Sequence, residues 1–138
     1  MNAKEYLKKY EAAEIVAKRL RAEYHKEEEM IDAIKSTTDF DGMPKSRSGG
    51  RSAVEDRIIR LADKAAELKE AEIRALEIRQ EVFNTINKVP GEPGKVLYEK
   101  YINLLKWEEV AVKLNYSWSG THKLHKRALH IVAGLISE

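Results

Sequence analysis

The sequence predicts an all-α fold, and three observations support that class. Charged residues make up 35% of the 138 positions and aromatic residues only 7%, which is typical of solvated helices. Apolar side chains recur at steps of three and four residues over two long segments. Turn-forming Gly and Pro residues separate these segments from each other and from the C-terminal part. We therefore expect a long antiparallel helical hairpin followed by a C-terminal helix-turn-helix.

The first helix is predicted over about residues 3–35. Its apolar or small side chains follow the heptad spacing of a helix that packs on another helix, and Glu27 is the one exception. The positions concerned are Tyr6, Tyr10, Ala13, Ala17, Leu20, Tyr24, Ile31 and Ile34.

A second helix of similar length is predicted over about residues 54–87. Glu72 and Arg79 interrupt its spacing, which is otherwise carried by Val54, Ile58, Leu61, Ala65, Leu68, Ala75, Val82 and Ile86. Two helices of matched length predict a coiled-coil-like hairpin over residues 1–90, with a flexible loop at 36–53. The same apolar faces would also suit a second chain, so a homodimer stays open.

The segment "KVPGEPGK" is predicted to end the second helix, because proline cannot continue a helix and glycine opens the chain. It marks a boundary between the hairpin and a second unit at residues 91–138. That unit begins with a short helix, "KVLYEKYINLL", with Leu97, Tyr101, Leu104 and Leu105 on one side.

The C-terminal unit carries the pattern of a helix-turn-helix. "WEEVAVKL" has a helical period, and Asn115 follows where the chain must leave the helix through a left-handed residue. Ser117 can cap a new helix by accepting a hydrogen bond from its free amides. The small Ala111 allows the two helices to cross closely. In such motifs the second helix enters the major groove of DNA.

The second helix of this motif lacks negative charge. No Asp or Glu occurs from Val110 to Ser137, and Ser119, His122, Lys123 and Lys126 share one helical face. The inward face is predicted to consist of Thr121, Leu124, Ala128, Ile131 and Leu135. Because a carboxylate would repel phosphate, this pattern indicates double-stranded DNA as the partner. The predicted DNA-binding residues are Ser117, Trp118, Ser119, His122, Lys123, Lys126 and Arg127.

Within this set, His122 and Lys123 are expected to face base edges. Lys126 and Arg127 are expected to hold phosphates, with Ser119 near the entrance of the groove.

The stretch "YEKYINLLKWEEVAVKLNYSWSGTHKLHKRAL" resembles region 4 of bacterial sigma factors, in which a tyrosine-bearing helix precedes a helix-turn-helix ending in an Ala-Leu pair, here Ala128-Leu129. The whole chain resembles the RinA/ArpU group of phage transcriptional regulators. The likeness rests on the long helical N-terminal half, the Asp-Gly-Met-Pro at 41–44 and the Asn-Tyr-Ser at 115–117. It implies a phage or prophage late-gene activator that binds promoter DNA in the bacterial cytoplasm and contacts RNA polymerase.

Other chemistries are not indicated. The chain has no cysteine, which excludes disulfides and thiolate metal sites, and "GEPGK" lacks the spacing of a phosphate-binding loop. His122, His125 and His130 lack a carboxylate partner and do not share one face, so no metal site is predicted. No nucleophile–base pairing emerges. We expect a soluble non-enzyme without cofactor, and no apolar run reaches membrane-spanning length.

Two other functions stay open on sequence grounds. A DNA-packaging protein similar to a terminase small subunit also combines a helix-turn-helix with oligomerising helices. Such proteins typically carry the DNA-binding unit at the N-terminus, which favours regulation here. A third alternative is an interaction module that grips RNA polymerase without reading DNA.

Overall fold

The computed structural model describes residues 1–41 and 52–137. These residues are helical almost throughout and no β-strand occurs among them, which confirms the all-α class. The elements are α1 (Ala3–Leu7), α2 (Lys9–Asp41), α3 (Ala53–Ile86), α4 (Gly91–Leu97), a π-helical turn (Tyr98–Ile102), α5 (Trp107–Leu114) and α6 (Trp118–Ile136).

The predicted first helix is two helices and extends beyond its predicted end. Asn2 starts α1 with a capping box, in which its side chain accepts from the Glu5 amide at 2.8 Å. After Lys8, α2 continues to Asp41, so the prediction that the loop starts at residue 36 is wrong. The reason is local, because the first strong helix breakers, Gly42 and Pro44, come only after Asp41. Residues 42–51 of the predicted loop lie outside the described residues, and α3 begins at Ala53.

The chain divides into two compact units, and α2 and α3 contribute residues to both. One unit comprises Met1–Glu14 with Arg74–Glu138, and the other comprises Ile15–Ile73. The predicted boundary after residue 90 does not coincide with these limits. The reason is that the end of α3 shares a hydrophobic core with α4 and α6.

The core of the first unit joins four parts of the chain. Leu7 of α1, Val82 of α3, Leu97 of α4 and Val132 of α6 are all fully buried in it. Each such side chain contributes about 1.5–3 kcal/mol relative to an exposed one. In the same unit the hydroxyl groups of Tyr6 and Thr85 lie 2.8 Å apart, so α1 is also tied to α3 by a polar contact. This core supports the helix that carries the candidate site.

In the second unit, α2 and α3 run antiparallel, and ion pairs occupy positions where the apolar spacing is interrupted. The Arg57 guanidinium nitrogen Nη1 lies 3.0 Å from Glu27 Oε1, and Arg21 Nη2 lies 3.3 Å from Glu72 Oε2. The two acids are the ones that broke the heptad spacing in the sequence. A half-buried carboxylate at a helix contact needs a positively charged partner, and such pairs also favour one register of the two helices.

The connection to the C-terminal part is shorter than predicted, because α4 begins at Gly91 inside the expected turn. Pro93 lies in the first helical turn, where a missing N–H costs nothing. The helix then widens into a π-helical turn, in which the Asn103 amide donates to the Tyr98 carbonyl at 3.0 Å. This turn buries both Tyr101 and Ile102, whereas Leu104 and Leu105, predicted to line the same helix, follow after it.

Candidate nucleic-acid interface

Three residues separate α5 from α6, and two of them, Asn115 and Ser117, adopt the conformations that the sequence predicted. Asn115 is left-handed, with φ 61° and ψ 42°, and its amide donates to the carbonyls of Ala111 and Val112. The Tyr116 amide also donates to the Ala111 carbonyl at 3.0 Å. These bonds satisfy the carbonyl groups that the end of α5 leaves free.

Ser117 starts α6 as a capping residue. Its hydroxyl oxygen accepts a hydrogen bond from the Gly120 amide at 2.9 Å, and its backbone is extended, which confirms the predicted cap. The Thr121 hydroxyl donates to the Ser117 carbonyl at 2.9 Å. That bond explains how a hydroxyl group is tolerated at a fully buried position.

The buried face of α6 is rotated relative to the prediction. Thr121, His125, Ala128 and Val132 are buried at steps of four, three and four. Leu124, Ile131 and Leu135 were predicted to be inward but are only half-buried on its flank. The rotation brings a histidine into the core and leaves the opposite face to the charged side chains.

That opposite face brings four of the predicted site residues together. Ser119, Lys123, Lys126 and Arg127 are all exposed, at spacings of four, three and one along α6. Within residues 1–41 and 52–137, no carboxylate pairs with any of the three cations. Ser117 is exposed at the start of the same helix. The result is a single helical face with three uncompensated positive charges.

Lys113, a cation of the neighbouring helix, is already engaged. Lys113 of α5 forms an ion pair at 3.0 Å with Glu99, whose side chain is only 12% exposed. The same carboxylate accepts from the Asn103 amide group at 2.7 Å. Lys113 therefore neutralises a nearly buried acid and adds no free positive charge to the face of α6.

His122 and Trp118 do not join this polar face in the predicted way. The His122 ring lies between two indoles, with its centroid 4.8 Å from Trp107 and 4.4 Å from Trp118. Its Nε2 is buried and has no hydrogen-bond partner among the described residues. In this conformation Nε2 cannot contact a base edge, because the rings of the cluster exclude it from solvent. Trp118 in contrast is 55% exposed.

His125, which was considered from the sequence only as a metal ligand, is buried beneath the same cluster. Its Nε2 lies 2.7 Å from the Tyr101 hydroxyl oxygen. The stacked rings of His125 and Tyr101 have centroids 5.7 Å apart, and the ring of Trp107 packs edge-on with its centroid 4.5 Å from that of His125. Burial lowers the pKa of His125 to about 4 and raises the pKa of Tyr101 to about 12. At neutral pH the hydroxyl is therefore protonated and the imidazole is neutral, and the tautomer of His125 decides which of the two groups donates.

Neither a metal site nor a membrane span is found in the part of the chain that the structure describes. No group of three or more potential ligands for a metal ion occurs there. None of its helices is both long and apolar enough to cross a bilayer. No family model, curated protein or solved structure matches the chain.

Proposed function

We propose that this protein is a transcriptional regulator of a phage or prophage that binds double-stranded promoter DNA through α6. The observation that carries the proposal is the helical face with Lys123, Lys126 and Arg127, which have no paired carboxylate in the described residues while Lys113 and Lys95 do. Phosphate groups are the complementary charge for such a face. The capped turn between α5 and α6 supports the proposal, because it presents the start of α6 to a groove.

The residues on this face have separate roles. Lys123 lies on the first two turns of α6, the part of a recognition helix that reaches base edges, so it reads sequence. Lys126 and Arg127 lie one turn further along and hold phosphates, and Ser119 lies at the entrance of the groove. His122 acts through Trp118 rather than on a base, because its ring is held between the two indoles.

Two alanine variants test these roles on a duplex recovered by selection from a random library and on an unselected duplex. Lys123→Ala should weaken binding to the selected duplex by about 1–3 kcal/mol and binding to the unselected duplex much less. Lys126→Ala should weaken both alike. Lys35→Ala, an exposed lysine of α2, serves as the matched control. Equal affinity of all four proteins for both duplexes would rule out α6 as the interface.

Footprinting on the phage genome distinguishes regulation from packaging. A protected site at a promoter agrees with the proposal, whereas protection confined to a packaging site would favour the terminase-like alternative.

One observation favours a second candidate, the module that grips RNA polymerase. Leu105, Glu108, Glu109, Val112 and Lys113 line an open groove on α5, and Val112 is 77% exposed. An exposed aliphatic side chain beside two acids suits a protein partner with an apolar contact and a basic rim. Loss of polymerase binding in Val112→Ser with unchanged DNA affinity would assign the groove to that role.

A further inference from the structure

We infer that Trp118 is a specificity-determining residue that recognises the 5-methyl group of thymine in the major groove. This inference rests on the proposed DNA binding of α6 and adds the chemical group that is recognised. It starts from an unusual feature of the site, which is a large exposed indole at the first residue of a capped helix.

The indole is held in place by a column of rings. The ring centroids of Trp118 and His122 lie 4.4 Å apart, and those of His122 and Trp107 lie 4.8 Å apart. The centroids of Trp107 and His125 lie 4.5 Å apart. His125 is fixed in turn by the stack and the hydrogen bond with Tyr101, which is almost completely buried. A side chain supported in this way loses little conformational freedom when it binds, so its contact area contributes fully to affinity.

The environment of Trp118 selects an apolar target. The buried Nε2 of its neighbour His122 has no hydrogen-bond partner in the described residues, so this atom makes no polar contact beside the indole. Ser119 and Lys123, which are exposed on the adjoining face, are the residues available to hydrogen-bond the polar groups of the base edges. The residues at the start of a recognition helix reach base edges. On those edges the only apolar group in the major groove is the thymine methyl.

The column also gives His122 a role as a positioning residue. Its ring separates Trp118 from Trp107 and sets the direction in which the exposed indole projects. Lys100 forms a cation–π contact with Trp107, with its ammonium group 5.0 Å from the ring centroid. The aromatic cluster therefore connects the core of the unit to one point on the DNA-binding face.

The test compares two duplexes of the selected sequence, one with thymine and one with deoxyuridine at every thymine position. The wild-type protein should bind the deoxyuridine duplex roughly fourfold more weakly for each methyl group that it contacts. Trp118→Ala should bind both duplexes equally, and Trp118→Phe should keep most of the discrimination. Leu76→Ala, a change at an exposed apolar residue of α3, is the matched control and should discriminate as the wild type does.

Each other outcome has a defined meaning. Equal binding of both duplexes by the wild type would overturn the inference and leave DNA binding intact. If Trp118→Phe lost affinity for both duplexes alike, the indole N–H would be bonding a phosphate, and the methyl contact would be refuted. If the wild type bound no duplex at all, the proposed function would fail first, and the inference with it.

A spectroscopic readout gives an independent check. In a Trp107→Phe variant the emission comes from Trp118 alone, because the chain has two tryptophans. Binding of the thymine duplex should shift or quench that emission, since the indole leaves water for the groove. Unchanged emission at saturating DNA would contradict a contact at Trp118.

Discussion

Protonation of His125 should destabilise the fold in mildly acidic solution. The ring is buried, its pKa lies at about 4, and the ordinary value is 6.5. An unfolded chain therefore takes up a proton at this ring near pH 6.5, while the folded chain stays neutral until about pH 4. The stabilisation from the neutral ring is complete above pH 6.5 and is lost as the pH falls through that window.

The size of the effect follows from the shift. Between the two pKa values, each pH unit changes the free energy of unfolding by about 1.4 kcal/mol, because only the unfolded chain binds the proton. This histidine alone should therefore lower the free energy of unfolding by about 2 kcal/mol between pH 6.5 and pH 5. Over the whole window the loss reaches about 3 kcal/mol. This loss is a substantial fraction of the free energy of unfolding of a small domain, which is typically about 5–15 kcal/mol.

Urea unfolding at several pH values measures this contribution. His125→Phe keeps an aromatic ring against Tyr101 and Trp107 but cannot titrate, so it should lose most of the pH dependence above pH 5. His130→Gln removes an exposed histidine of the same helix and should keep the wild-type profile. The reasoning would be refuted if the wild type and His125→Phe showed the same slope of unfolding free energy against pH.

Four further substitutions test the local geometry of the C-terminal elements. A Cβ at Gly94 would overlap the Val89 carbonyl oxygen, so Gly94→Ala should lower the free energy of unfolding by about 1–3 kcal/mol. Gly134 has open space around it, so Gly134→Ala should raise the free energy of unfolding by about 0.5–1 kcal/mol. Asn115→Val should lower the melting temperature, since a β-branched residue strongly disfavours a φ of 61°. Ser117→Ala should cost about 0.5–2 kcal/mol because the Gly120 amide loses its acceptor; equal melting temperatures for the wild type and this variant would contradict the cap.

Features set by neighbours in the sequence were predictable. Asn115 and Ser117 adopt the predicted conformations because each is determined by interactions within a few residues, a carbonyl of the preceding turn and an amide of the next. The helical class follows for a similar reason, since the spacing of apolar residues records which side of a helix is buried.

Features set by distant contacts were not predictable in detail. Spacing treats histidine as polar, so His125 was left out of the inward face, although its position between Thr121 and Ala128 was a usable signal. Its environment depends on Tyr101, which lies in a π-helical turn 24 residues earlier in the chain and approaches His125 Nε2 to 2.7 Å. The end of α3 belongs to the same unit as the C-terminal elements because they share a hydrophobic core. The spacing of residues within one helix does not predict such a shared core.

The salt dependence of DNA binding tests the central claim most directly. The claim is that Lys123, Lys126 and Arg127 contact DNA, and each phosphate that a cation neutralises contributes about 0.9 to the slope of log K against log salt concentration. Replacing all three by alanine should therefore reduce the slope for an unselected duplex by about 2–3, whereas Lys35→Ala should leave it unchanged. Binding by the triple variant with the slope and affinity of the wild type would contradict the assignment of α6 as the DNA-binding helix.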